Sequence, residues 1–110
     1  MRNLNTILEA YLECALWSED VEGTIHDVLP TGKQQAEKDI QLFVEKAGDL
    51  LTDDWNDEQV GHDLWLTRNG HGAGFWDRDL PNSDELTDVC KTLFKELNVY
   101  RLETGNIEIY

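Results

Sequence analysis

The segment from Gly61 to Asp79, GHDLWLTRNGHGAGFWDRD, concentrates the residue types of this chain that are best suited to chemistry. It contains two histidines, two arginines and a run of glycines at positions 70, 72 and 74. Each glycine costs backbone entropy on folding, so three of them are unexpected in an ordinary hairpin. A loop whose backbone approaches a ligand closely does require glycines. We therefore treat this segment as the first candidate site. The alternative is a glycine-rich hairpin whose Trp65, Phe75 and Trp76 fill the core.

The polar residues of this segment suit ligand or partner binding. Arg68 and Arg78 bracket the glycines and can hold a carboxylate or phosphate through paired hydrogen bonds, or can instead pair with Asp77, Asp79 or Asp63 and cancel their charge. Trp76 can stack on a flat ligand or fill a partner's pocket, or it can pack against a sheet. The candidate binding residues are Arg68, Asn69, His71, Trp76, Asp77 and Arg78.

Catalysis and metal binding fit the same segment less well. His71 on the turn can act as a general acid or base oriented by Asp63 or Asp77, but no serine or cysteine nucleophile lies beside it. Donors for a divalent metal are present, but their spacing matches no compact metal motif; they are His62, Asp63, His71, Asp77 and Asp79. We therefore assign no catalytic residue, no metal site and no cofactor, and lean against an enzyme.

The charge balance is strongly acidic, with 23 acidic and 9 basic residues among 110 and a formal net charge of -14. Direct binding to nucleic acid is disfavoured, because phosphate backbones require lysine and arginine. The acids can serve solubility or cation binding, or they can imitate a phosphate array and dock on a basic partner. The candidate partner surface is the cluster around Trp55, namely Asp53, Asp54, Asp57 and Glu58.

The spacing of apolar residues predicts three helices. The first runs over Asn3–Ser18, and the second runs from about Gly32 to Leu51 with Thr31 as its N-cap. The third begins at Asn82 or Ser83, after Pro81, and carries its apolar stripe to Leu97.

The remaining elements are predicted to be strands. Residues His62–Arg68 suit a strand buried on both faces, Asn69-Gly70 suits a turn, and Gly74–Asp77 suits the returning strand. A second hairpin is predicted over Val99–Tyr110. The sequence thus predicts one α+β domain spanning residues 1–110. Its small antiparallel sheet has about four strands and packs with three helices, in the order ααββαββ.

Three further expectations concern compartment and assembly. No run approaches the roughly 20 apolar residues of a membrane span, so we expect no membrane association. Cys14 and Cys90 lie in apolar helical patterns and are expected to be buried free thiols, which favours the reducing cytoplasm of a host cell. The terminal strand that ends at Tyr110 offers an edge for pairing, so a homodimer is left open.

The central segment resembles a signature of small uncharacterised proteins that are widespread in bacteriophages and other mobile elements, GHDxWLTRNGHGAGFWDR. In this chain the signature runs from Gly61 to Arg78, and the likeness extends more loosely to Tyr11–Ser18 and Ala47–Leu51. Relatives tend to carry an acidic DDG turn near the end, where this chain has Glu103-Thr104-Gly105-Asn106. The resemblance implies a phage-type origin, and it implies no established activity or catalytic residue.

Two functions follow as expectations. The first is a small acidic accessory protein that binds and modulates a basic host protein, such as a nucleic-acid-handling enzyme or an immune effector, by acidic-surface mimicry. The second is a domain or enzyme that binds a small ligand or nucleotide at the glycine-rich turn from Arg68 to Arg78.

Overall fold

The computed structural model describes residues 2–110 and contains four α-helices and one small sheet. The helices are α1 (Leu4–Ser18), α2 (Pro30–Ala47), α3 (Asp57–Arg68) and α4 (Ser83–Leu93). The strands are β1 (Val99–Arg101) and β2 (Ile107–Ile109). Short 3₁₀ turns lie at Ile25–Asp27, Gly48–Leu50 and Phe75–Asp77.

The predicted arrangement of three helices and about four strands is wrong. The segment predicted as the strand His62–Arg68 forms the C-terminal half of α3, and the segment predicted as the returning strand Gly74–Asp77 forms a 3₁₀ turn. Only two strands, β1 and β2, are present in the described residues, and they pair antiparallel with Val99 opposite Ile109. The order in residues 2–110 is therefore four helices followed by a hairpin.

The helix α3 escaped prediction because it is buried around most of its circumference. Buried positions are consecutive through its second half, from Asp63 to Arg68, so the polar–apolar alternation of a surface helix is missing. A short apolar run cannot be assigned to strand or helix by its period alone. The remaining local signal of a helix is Asn56, whose side chain accepts a hydrogen bond from the Gln59 amide at 2.8 Å and caps the helix.

The packing of α1 on α3 forms the centre of the molecule, and Gly61 allows it. A Cβ atom at this position would lie 2.2 Å from the Ile7 carbonyl oxygen and 3.0 Å from the Ala10 Cβ. The two helix backbones therefore approach so closely that any side chain at position 61 would force them apart.

Aromatic rings fill the core between the helices. Phe75 stacks on Phe43 of α2 with ring centroids 5.3 Å apart, and it meets the ring of Trp55 edge-on at 5.5 Å. On the other side of α3, Trp65 packs edge-on against Tyr11 of α1 at 5.3 Å. All five rings are almost fully buried, so this aromatic set positions the segment that follows α3.

The outer helices and the terminal hairpin agree more closely with prediction, although α2 ends at Ala47 rather than Leu51 and α4 ends at Leu93 rather than Leu97. The first helix is confirmed, with Asn3 as its N-cap, and the hairpin over 99–110 is confirmed by the pairing of β1 with β2. Helix α2 begins at Pro30 rather than Gly32, because proline is pre-organised for the first turn of a helix; Leu29 rather than Thr31 is its N-cap. Ile107 forms a parallel bridge to Val28, which attaches the hairpin to the helices.

Candidate functional site

The predicted binding residue Arg68 lies inside the molecule. Its guanidinium donates to Asp39 at 2.9 Å, to the Tyr11 hydroxyl at 3.0 Å and twice to the Lys95 carbonyl, at 2.8 and 3.0 Å. It also lies over the Phe94 ring, 4.6 Å from the centroid. The side chain is 5% exposed, so Arg68 joins three helices and the segment after α4 instead of facing a ligand.

Asn69 also forms hydrogen bonds within the protein. Its amide nitrogen donates to the Trp65 carbonyl at 2.9 Å, and its carbonyl oxygen accepts from the Leu97 amide at 2.7 Å. The residue ends α3 and fixes the segment between α4 and β1 beside it.

The glycine-rich turn folds back onto α3 rather than cradling a phosphate. The Thr67 hydroxyl accepts a hydrogen bond from the Phe75 amide at 3.0 Å. Gly74 has a φ of +157°, and a Cβ there would lie 2.4 Å from the Thr67 Oγ1. Gly74 is therefore needed for a close approach between two parts of the same chain.

Arg78 forms a two-point ion pair with Asp63, which is completely buried. The guanidinium nitrogens Nε and Nη2 lie 3.1 and 2.8 Å from the two carboxylate oxygens, and the Gln59 side chain donates a third hydrogen bond at 2.7 Å. These hydrogen bonds to Asp63 raise the pKa of Arg78 above its ordinary value. The pair satisfies the buried carboxylate and ties the glycine-rich turn to α3.

His71 contacts the end of α1. Its Nε2 lies 2.7 Å from a carboxylate oxygen of Glu19, and both side chains are about one-third exposed. Asp63, which was considered as its catalytic partner, is bound to Arg78 instead. His71 therefore links the glycine-rich turn to the end of α1.

Two members of the predicted set remain open to solvent. Trp76 is 45% exposed, and Asp77 beside it is exposed as well. Of the six candidate residues, these two are the ones whose side chains project outward from the 3₁₀ turn. The structure therefore divides the predicted set into four residues with internal contacts and two on the surface.

The remaining reactive groups of the described residues are also dispersed or inert. No group of three or more His, Cys, Asp or Glu residues within 2–110 is arranged to hold a metal ion. Cys14 and Cys90 are buried free thiols, and burial raises the pKa of each to about 12. Every buried side-chain nitrogen and oxygen in the described part of the chain has a hydrogen-bond partner.

The predicted acidic cluster is partly exposed. Asp53, Asp54 and Glu58 face solvent, whereas Asp57 accepts from the Asn3 amide at 3.1 Å and pairs with Arg2 at 3.3 Å. Asp57 therefore anchors the start of α1, and three of the four acids remain available to a partner.

The surface along α1 was not among the predicted binding sites. Trp17 is 72% exposed and separates two depressions, and it lines both of them together with Glu13. The larger depression, which we call the α1 groove, has a volume of about 920 Å³ and lies beside the 21–26 segment. The smaller one, of about 500 Å³, lies between α1 and α3 and includes His62 and Arg78.

One signal in the sequence pointed to this surface. Trp17 falls outside the apolar stripe that Ile7, Tyr11 and Ala15 place in the core. A large aromatic residue on the solvent side of an amphipathic helix is a candidate contact residue. In the fold its ring is supported by the His62 ring, at a centroid distance of 5.9 Å and a tilt of 33°.

None of the four helices in the described residues is long and apolar enough to cross a membrane. A comparison with known proteins found no matching protein-family model, no matching curated protein and no matching solved structure. The interpretation of this chain therefore depends on its own geometry and on the central motif.

Proposed function

We propose that this chain is a small acidic accessory protein of phage type that binds a basic surface of a host protein and competes there with nucleic acid. The observation that carries the proposal is the separation of charges in the fold. The acidic residues are mostly exposed, whereas three of the nine basic residues, Arg2, Arg68 and Arg78, are paired with aspartates of the protein itself.

This separation makes the surface more one-sided in charge than the sequence suggests. An arginine paired with its own aspartate adds little to the field outside the protein, so the unpaired acids outnumber the unpaired bases by a wider ratio. The acids Asp53, Asp54 and Glu58 keep full access to solvent, and Glu13 lies on the neighbouring ridge of α1. Such a surface favours fast association with a basic partner and repels nucleic acid.

The same contacts argue against the binding of a small ligand or nucleotide at the glycine-rich turn. A phosphate at the glycine-rich turn would have to compete with Asp63 for Arg78 and with Asp39 for Arg68. Trp76 and Asp77 alone offer a flat ring and a carboxylate, which is a poor set for an anionic nucleotide. We therefore favour protein binding.

The test is capture from a bacterial lysate with the tagged chain at 0.1 M and at about 0.5 M salt, identified by mass spectrometry. Because the screening length shrinks from about 10 Å at 0.1 M towards 3 Å at 1 M, electrostatic partners should be released at the higher salt. Added double-stranded DNA should also displace them, since both ligands would occupy one basic site.

The matched variants change three exposed acids and leave the structural Asp57 intact. Asp53→Lys, Asp54→Lys and Glu58→Lys together should abolish capture, and the neutral set Asp53→Asn, Asp54→Asn and Glu58→Gln should weaken it less. Partners that stay bound at high salt and in the presence of DNA would overturn the mimicry proposal.

A further inference from the structure

We propose that the α1 groove binds an amphipathic helix of a partner protein, one with an apolar stripe bordered by lysines or arginines. This inference rests on the proposed function and adds a second contact surface, which does not include Asp53, Asp54 or Glu58, together with the form of the partner's segment.

The floor of the groove is apolar and follows the axis of a helix. Leu8, Leu12 and Leu16 lie four residues apart along one face of α1, and Val21 and Ile25 form the opposite wall. Leu12 and Leu16 are buried, so the apolar surface that a partner can reach comes from Leu8, Val21, Ile25 and the adjoining Trp17. From Leu8 to Leu16 the floor is about 12 Å long, which matches about two turns of a helix laid against it.

The rim of the groove is acidic on both sides. Five exposed carboxylates border it, namely Glu9, Glu13, Asp20, Glu22 and Glu37. The one lysine that lines the groove is Lys33, and Arg101 pairs with the highly exposed Glu22 at 3.6 Å. The rim therefore carries a net negative charge that complements lysines or arginines flanking an apolar stripe.

Trp17 supplies the anchor that such interfaces use. It stands at the edge of the groove with 72% of its surface exposed, although its ring is already supported by His62. A supported aromatic ring loses little conformational freedom on binding, and tryptophan is prominent among the residues that dominate interface energy. An apolar floor, charged rims and an aromatic anchor are the features of helix-in-groove recognition.

The test uses three labelled 18-residue peptides and fluorescence anisotropy at 0.1 M salt. The first is built from leucine and lysine with the leucines on one helical face. The second has the same composition in an order that gives no apolar face, and the third replaces every lysine of the first by glutamate. We expect the first to bind at least 10-fold more tightly than the second, and the third not to bind.

Two protein variants locate the peptide. Trp17→Ala should weaken binding of the first peptide by at least 10-fold, whereas Trp76→Ala, which removes the exposed tryptophan of the other region, should change it less than 2-fold. Both side chains are substantially exposed, so both variants should keep the fold, which circular dichroism checks.

The outcomes separate this inference from the proposed function. Equal binding of the two basic peptides, with no effect of Trp17→Ala, would overturn the groove and leave an unspecific acidic surface as the binding element. Tight binding of the first peptide that depends on Trp17, combined with failure of the salt-sensitive capture, would support the groove and overturn nucleic-acid mimicry. If neither basic peptide binds, the groove proposal fails, and the salt-sensitive capture alone decides nucleic-acid mimicry.

Discussion

The glycine-rich segment Gly61–Asp79 and the surface along α1 differ in where their polar groups point. In the first region, Arg68, Asn69 and Arg78 form hydrogen bonds to other parts of the protein. In the second, Glu13 and Trp17 border two depressions and face solvent. The region with the more unusual sequence is thus the better connected internally, and the region with an ordinary helical sequence is the more open.

This difference teaches that unusual residue types in a sequence need not mark a site of chemistry. Gly61 and Gly74 are needed where two segments touch, and Arg68 and Arg78 are needed because carboxylates lie beside them inside the fold. A small domain with few layers to bury its core can depend on a few such contacts. The unusual residue types of this segment are therefore explained by the contacts that each of them makes within the fold.

The largest expected effect is that of Arg68→Met, which tests whether this arginine is structural. The substitution leaves the Lys95 carbonyl and the Tyr11 hydroxyl without the Arg68 donor and removes the positive charge that pairs with Asp39, so we expect a loss of about 3–5 kcal/mol in the free energy of unfolding. Urea denaturation measures it. The control is Arg101→Met, because Arg101 is half exposed in a 3.6 Å ion pair and should cost less than 1 kcal/mol. Equal stabilities of the two variants would contradict the internal role of Arg68.

The next effect is that of Gly61→Ala, which tests the contact of α1 with α3. The added methyl group meets the Ile7 carbonyl, so the helices must separate, and we expect a loss of about 3 kcal/mol despite the better helix propensity of alanine. Gly72→Ala is the matched control, because a Cβ at Gly72 meets nothing within 4 Å. Thermal unfolding of both variants would settle the point, and an unchanged melting temperature for Gly61→Ala would show that the helices pack differently.

A smaller effect is expected from alkaline pH. The unfolded chain loses the protons of Cys14 and Cys90 near pH 9, but burial holds the pKa of each folded thiol at about 12. Between these values the unfolded state binds fewer protons, so stability falls as pH rises, by on the order of 1 kcal/mol per thiol at pH 10. Urea midpoints at pH 8 and pH 10 measure the change. Cys14→Ala with Cys90→Ala should show a shallower decline, and an equal decline would assign it to other groups.

The smallest effect on stability is expected for Trp17→Ala. Since the ring is 72% exposed, its removal should change the free energy of unfolding by no more than about 0.5 kcal/mol, even though it should weaken peptide binding strongly. A loss above about 1.5 kcal/mol in urea denaturation would show that the ring stabilises α1 through His62. The glycine-rich segment and the surface along α1 would then differ less in their structural role than the exposure of Trp17 suggests.

Local rules predicted the outer elements well. The apolar stripe of α1 has the period of a surface helix, and Gly105 with its neighbours signals the turn between β1 and β2. The helix α3 was missed because burial on most sides erases that period. The cap at Asn56 was the remaining local signal, and it was weaker than the strand-like alternation that follows it.

The candidate site shows the same limit. The sequence correctly singled out the segment 61–79 as unusual, but residue types do not reveal which partner an arginine will meet. Arg78 lies close along the chain to Asp77 and Asp79, yet it pairs with Asp63. Trp17 was visible as an aromatic residue outside the apolar stripe, but the depressions on either side of it form only when α3 and the 21–26 segment pack against α1.

The acidic charge, the period of α1 and the terminal hairpin follow from composition and near-neighbour contacts, which are properties of the chain alone. The burial of Arg68, the pairing of Arg78 with Asp63 and the exposure of Trp17 and most of the acids depend on how the helices pack. The physical reason is that a buried charge requires a partner, and that partner comes from whichever distant segment the packing of the helices brings within hydrogen-bond distance.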